Sequence, residues 1–275
     1  MTDHTFTTET PVDLYVEIGK GNVTIRTADT RETTVIVEGD LADEVAVRQE
    51  GRAVHVVGPK GRLGFLGGSE HHLDIAITVP HQSRATVKTG SADITCHGEL
   101  DSCHFRTGSG DIRVEDLTGT GVIETGSGDV RIGAASAELR IKSGSGDIQI
   151  DHTGASTTIS TGSGDVSLGT TAAAVAVKTG SGDVTVAEAG HDVALSTGSG
   201  DLVVRTARRG KFTVKGASGD VRLGIPSGTP VWTDINTLSG RIDSNLQGTG
   251  EPAEGQDHIE VRAKTASGNV VLRQV

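Results

Sequence analysis

Aromatic side chains are scarce. Phe, Tyr and Trp make up 2% of the 275 residues, with four Phe, one Tyr and one Trp. A conventional globular core draws much of its buried area from such rings, so a thick core of that kind is excluded. Helical spacing of apolar residues is missing as well, which excludes the crossover helices of an α/β fold. The two cysteines cannot build a disulfide framework. No apolar run approaches the length of a membrane-spanning helix. Met1-Thr2-Asp3-His4 opens neither a basic nor an apolar segment, so no secretory leader is expected. The chain therefore reads as cytoplasmic, with the cell surface, reached by an unrecognised route, as the alternative. A basic excess is missing too. Lys and Arg number 25 against 36 Asp and Glu, for a net charge of −11. That balance argues against nucleic acid and anionic membrane as partners.

Glycine is abundant, at 39 residues, and much of it lies in one repeated phrase, Thr-Gly-Ser-Gly-Asp. The Asp of the phrase recurs at Asp93, Asp111, Asp129, Asp147, Asp165, Asp183 and Asp201, at a constant step of eighteen, and Asp220 follows one position late. Looser copies lie at Gly19–Val23, Thr237–Ile242 and Thr265–Val270. A fixed period redefines the whole fold. After each Asp an aliphatic, a variable residue and a second aliphatic alternate, as in Ile112-Arg113-Val114 and Ile148-Gln149-Ile150. A second alternating run follows about seven residues later, as in Leu139-Arg140-Ile141 and Val193-Ala194-Leu195. Period-two alternation marks strands with one buried face.

Two strands per unit cannot bury their apolar faces alone, so neighbouring units must stack. The expected fold is all-β, a parallel β-solenoid (β-helix) in which each eighteen-residue repeat makes one coil. Its inward columns read Ile94, Ile112, Val130, Ile148, Val166, Val184, Leu202, Val221; then Cys96, Val114, Ile132, Ile150, Leu168, Val186, Val204, Leu223; then Phe105, Ile123, Ile141, Ile159, Val177, Leu195, Val214.

The phrase itself falls where the inward parity switches, so it is expected to be a corner. Glycine would supply positive φ there. Asp would bond its own turn. The preceding hydroxyls, Thr89 to Thr197, would bond along the stack. Seven like charges spaced about 4.8 Å apart repel by roughly 1 kcal/mol per neighbouring pair even in water. Backbone N–H groups or bound cations must offset this. The Asp93–Asp201 column is therefore also a candidate cation ladder, and calcium its candidate ion.

Cys96-His97 and Cys103-His104 resemble a zinc set. Both cysteines, however, occupy aliphatic positions of the repeat, which points to core packing. No metal site, cofactor or catalytic residue is assigned.

Three regions are expected: irregular N-terminal coils at 1–82, the regular repeat at 83–224, and C-terminal coils with a cap at 225–275. Within the first, Gly58–His72 is Gly-rich and carries Leu63, Phe65 and Leu66, the candidate interaction loop.

The repeated Thr-Gly-Ser-Gly-Asp-Val, Val79-Pro80 ahead of Val87-Lys88-Thr89, and Thr237-Leu238-Ser239-Gly240-Arg241-Ile242 resemble a bacterial putative-adhesin β-strand-repeat family, a domain of unknown function. Its architecture is similar to bactofilins and adhesin-head β-helices. The resemblance implies a right-handed solenoid and no assigned activity.

The expected function is a non-catalytic binding or scaffold module with a protein or carbohydrate partner, and self-association is open to it. The alternatives are a calcium-stabilised surface adhesin, a self-assembling rod and a polysaccharide-acting enzyme. The last is disfavoured because a uniform row of carboxylates offers no pair in unequal environments.

Overall fold

The computed structural model describes residues 1–39, 41–59, 72–248, 250 and 255–275. They divide into two compact units, Met1–Glu138 and Leu139–Val275. Both are all-β, with no α-helix among the described residues.

The first unit contains β1 (Thr2–Thr7), β2 (Asp13–Ile18), β3 (Gly21–Ala28), β4 (Glu32–Gly39), β5 (Ala46–Glu50), β6 (Ala53–Val57), β7 (Leu73–Pro80), β8 (Arg84–Thr89), β9 (Asp93–Leu100), β10 (Ser102–Thr107), β11 (Ile112–Leu117), β12 (Gly121–Thr125) and β13 (Val130–Ala135). One sheet runs β1-β4-β7-β3-β9-β11-β13 and the other β5-β6-β2-β8-β10-β12. From β9 and β8 onward the pairs are parallel and one sequence repeat apart, as in Ile94↔Ile112↔Val130 and Phe105↔Ile123. The expected columns are therefore real within this unit. Nearer the N-terminus the pattern changes. β1–β4, β4–β7 and β5–β6 pair antiparallel. β6 and β7 also lie outside β2 and β3, so chain order is not stacking order.

The second unit contains β14 (Leu139–Ser143), β15 (Ile148–Thr153), β16 (Thr157–Thr161), β17 (Val166–Thr171), β18 (Val175–Thr179), β19 (Val184–Ala189), β20 (Val193–Thr197), β21 (Leu202–Ala207), β22 (Gly210–Gly216), β23 (Val221–Ile225), β24 (Val231–Thr237), β25 (Ile242–Ser244), β26 (Ile259–Thr265) and β27 (Val270–Gln274). Its odd-numbered strands up to β23 form one parallel sheet and its even-numbered strands up to β22 the other, each in chain order. β27 then follows β23 and β26 follows β22, and β25 and β24 close the two sheets. β27 comes last in the chain. The structure instead slides that last coil inside the one before it.

Side-chain chemistry accounts for the inversion. The inward positions of β26 and β27 are Ile259, Val261, Ala263, Val270 and Leu272, all buried. Those of β24 and β25 include Thr233 and Ser244, both exposed. The aliphatic coil takes the covered place because burying it removes more apolar area from water, at about 25 cal/mol per Å².

The core within each unit is Val, Ile and Leu, with Phe105 and Phe212 the fully buried rings among the described residues. One column of the second unit departs from this. Thr153 pairs with Thr171, and both hydroxyls are buried without a hydrogen-bond partner among the described residues. An unsatisfied buried hydroxyl costs about 1–3 kcal/mol. Thr171→Val, which keeps the shape and removes the hydroxyl, should raise the unfolding free energy by about 1 kcal/mol in urea titration. A lowered midpoint would show that the hydroxyl has a role the structure does not reveal.

Candidate functional site

The most repeated chemistry in the chain lies at the corner after each strand of the second sheet. In the coil from Thr179 to Val184, five consecutive N–H groups need acceptors, and each has one. Gly180 and Ser181 donate to the Gly162 carbonyl at 2.9 and 3.2 Å. Gly182 donates to the Thr179 hydroxyl at 2.8 Å. Asp183 donates to Oδ1 of Asp165 at 2.8 Å, and Val184 to the Asp201 carbonyl at 2.8 Å. The phrase thus satisfies a tight corner of parallel coils, where buried N–H groups must be paired.

Three local expectations change accordingly. The hydroxyls do not bond along the stack. Thr107, Thr125, Thr161, Thr179 and Thr197 each accept from the second glycine of their own corner, at 2.7–3.2 Å. The Asp side chains do not cap their own turn; they reach across to the next coil's Asp N–H. In the first unit Asp93 accepts from Asp111, and Asp111 from Asp129, at 2.8 and 3.0 Å. In the second unit Asp147, Asp165, Asp183 and Asp201 accept from Asp165, Asp183, Asp201 and Asp220 at 2.7–2.9 Å.

The corner glycines, finally, are required mostly by crowding rather than by positive φ, which among the repeat corners occurs at Gly21 and Gly219. A Cβ on Gly164 would lie 2.0 Å from the Gly146 carbonyl oxygen.

The carboxylate column is therefore a ladder of charge-assisted hydrogen bonds. Each is worth about 1.5–3 kcal/mol, more than the roughly 1 kcal/mol of repulsion between neighbours. Arginines two residues on add to it. Arg113 pairs with Asp111 at 2.9 Å, Arg131 with Asp129 at 3.3 Å and Arg222 with Asp220 at 2.9 Å. Sequence reasoning missed how the ladder continues past the phrase. Asn22 donates to Asp74 at 2.6 Å. Asn269 takes the position after Asp220, donating its N–H at 2.8 Å, and accepts from Arg241 at 3.0 Å.

Cys96 and Cys103 are both buried as free thiols. Burial pushes the Cys96 thiol well up and that of Cys103 up to about 12. His97 faces away from them, with Nδ1 2.7 Å from Glu115 Oε1, and the Gly98 N–H donates to Glu115 Oε2 at 2.6 Å. The two cysteine–histidine pairs thus do not converge. Among the described residues no group of three or more His, Cys, Asp and Glu is placed to hold a metal ion. Leu63, Phe65 and Leu66 lie outside the described residues.

Exposed apolar surface collects instead on the outermost coil of the second unit. Among the described residues β24 pairs only with β26 and β25 only with β27, so each leaves one edge open. Trp232, Leu238 and Ile242 are 51%, 84% and 53% exposed there. An open hollow of about 300 Å³, whose lining includes Val231, Ile235, Ile242, Leu246 and Leu272, lies against this coil.

These features define an all-β repeat protein of long, largely parallel sheets. The family model described as Toastrack DUF4097 matches residues 12–187 and again residues 155–273. The chain belongs to that family. Among solved structures it is similar to a putative adhesin from Parabacteroides merdae at 14% identity, covering 98% of this chain and 95% of that one with a TM-score of 0.48. A putative cell adhesion protein from Clostridium sporogenes matches at 12% identity, covering 100% and 99%, with a TM-score of 0.22. A putative lipid binding protein from Parabacteroides distasonis matches at 14% identity, covering 100% and 96%, with a TM-score of 0.37. At these scores the neighbours' names stay with the neighbours. No curated protein matches.

Three outcomes follow from the site. Asp183→Ala removes the acceptor for the Asp201 N–H and should cost about 1–2 kcal/mol in urea unfolding, whereas Asp183→Asn keeps an Oδ1 acceptor and should cost less than half of that. Equal losses would contradict the ladder. Neither thiol should react with Ellman's reagent at pH 8 until the chain unfolds.

Glu115 is held below its usual carboxylate value, first by its hydrogen bond with His97 and next by the Gly98 N–H. A depressed carboxylate contributes stability that is present above its unfolded pKa, about 4.3, and lost as pH falls through the folded value. Glu115→Gln should therefore be less stable than the parent at pH 6, and the gap should close in acid.

Proposed function

We propose that the chain is a non-catalytic binding and scaffold module, built as a right-handed parallel β-solenoid with one eighteen-residue repeat per coil. In this reading the regions flanking the regular repeat, 1–82 and 225–275, act as end coils. The observation that carries the reading is the corner. Its Oδ1 atoms and its first glycine and serine amides bond to the neighbouring repeat, and its hydroxyls close their own corner, which favours structure over chemistry for the phrase. Binding then falls to surfaces that break the repeat.

The open edge of β24 and β25 is the surface this reading selects, and its occupant is a protein segment in extended conformation. Unpaired edge N–H and C=O groups recruit a strand. The hollow beside them, lined by Val231, Ile235, Ile242 and Leu272 together with Thr233 and Ser244, takes alternate side chains of that strand. A further coil of this same chain fits less well. Arg241 stands at the ladder position of the outermost coil, where the next coil's N–H would require a side-chain oxygen such as that of Asp220 or Asn269.

The calcium-stabilised adhesin is the second reading, favoured by the Asp column. In the second unit Asp165 and Asp183 lack the arginine two residues on that Asp111 and Asp220 have, with Ser167 and Thr185 there instead.

Thermal melts in EDTA and in millimolar calcium separate the two readings. The module reading expects coincident melts. A ligand at 100 times its Kd adds about 2.7 kcal/mol per site, so a cation ladder would shift the midpoint plainly and move the protein to the second reading. Light scattering across a concentration series tests the occupant. A monomer at all concentrations fits strand addition by another protein. Reversible oligomers abolished by Trp232→Ser with Leu238→Ser would make the occupant a second copy.

A further inference from the structure

The second unit breaks its repeat at the corner opposite the Asp ladder. Ala189 pairs with Ala207, a regular step of eighteen, but Val193 pairs with Phe212, a step of nineteen. The extra residue therefore falls within Arg208–Lys211. Gly210 absorbs it with φ of +105°. It lies so close to the neighbouring corner that a Cβ would come 2.8 Å from the His191 carbonyl carbon. Its N–H donates to the His258 carbonyl at 3.0 Å. His258 immediately precedes β26, at the end of the insertion that separates β25 from β26. Two departures from the repeat thus meet, and between them lies a cleft of about 620 Å³, lined by His191, Asp192, Arg209, Lys211, Asp257 and His258 with Glu260 at its side. Its volume falls within the usual range for small-ligand sites, about 300–1,000 Å³.

The lining decides the ligand class. Among the described residues that form it there is no aliphatic, phenyl or indole side chain; its apolar surface is that of imidazole carbons and of methylene stems carrying polar ends, which suits the C–H faces of a sugar ring better than an acyl chain. The cations are already neutralised: Arg209 is 3.3 Å from Asp257 and Lys211 3.5 Å from Glu260. With Asp192 as a third carboxylate on the wall, a phosphate or polyanion would meet more repulsion than attraction. Metal binding lacks a converging set of three ligands among the described residues. What remains is a set of donors and acceptors on carbon stems, without net positive charge. A guanidinium beside a carboxylate, with imidazoles and glycine backbone close by, matches adjacent hydroxyl groups that both donate and accept.

We propose that this cleft binds a short neutral oligosaccharide. The site is distinct from the strand-binding edge and does not rest on it.

The test is NMR on the labelled full-length chain, following the His191 and His258 ring signals and the Gly210 N–H. Maltotriose, cellotriose, chitotriose, sodium phosphate and calcium chloride are titrated separately. At least one trisaccharide should shift all three signals with saturation in the millimolar range or below. Asp257→Asn and Arg209→Gln should each weaken that binding by about tenfold, with the melting temperature unchanged. The proposal is overturned if no trisaccharide moves these signals, if phosphate or calcium saturates them at a lower concentration than any sugar, or if both variants bind the sugar as the parent does.

Discussion

Two parallel sheets whose strands alternate along the chain have one recurring difficulty: the amides at each corner between them. A hairpin pairs its turn amides locally, but here the chain must turn onto the next sheet with five successive N–H groups pointing where no strand partner lies. The Asp carboxylate settles the hardest of them. Its Oδ1 accepts the N–H of the equivalent residue one coil away, at 2.8 Å between Asp183 and Asp201. One residue type thereby does two jobs, its N–H bonding to the repeat before and its Oδ1 fixing the register of the repeat after. Serine and threonine close a shorter loop to the second glycine, and that glycine lets adjacent corners approach to backbone contact. Alternation of apolar residues then completes the core without needing aromatic rings.

The ladder has a direction, and the direction explains the outermost coil of the second unit. An acceptor side chain is needed at every position that another coil must cover. Asn269 offers one, so its coil lies inside. Arg241 offers none, so its coil lies outside, although it comes first in the chain. The same coil carries Thr233 and Ser244 at inward positions, consistent with a surface that no further coil covers. Hydrogen-bonding capacity and apolar burial select the same arrangement independently, as expected of a sequence whose local and global preferences agree.

The regular part of the fold was legible because its signal is redundant: the columns from Ile94 and Ile148 recur at one spacing and survive a local error. The ends were not legible. Antiparallel pairing of β4 with β7, and the threading of β26 between β22 and β24, are choices between partners of similar strand character, and spacing along the chain does not encode them. The phrase was located correctly, but its bonds were misjudged, because parity reveals which residues face inward and not which coil a carboxylate reaches. The cleft beside Gly210 was visible only as one step a residue too long, between Asp201 and Asp220. Exposed Ile242 gave no sequence signal, since it aligns with buried Val270, whereas Trp232 aligns with outward Glu260 and Leu238 with Ala266, so those two depart from the repeat at positions that the spacing of the phrase alone does not weigh.

The ladder is tested most directly by native-state amide hydrogen exchange at the Asp N–H groups. The Asp183 amide should exchange as slowly as the neighbouring strand amides of Val184 and Val186. In an Asp165→Ala variant its protection should fall while that of Val186 is retained. Fast exchange at Asp183 in the parent chain, or protection unchanged by Asp165→Ala, would contradict the carboxylate ladder as the bond that organises these coils.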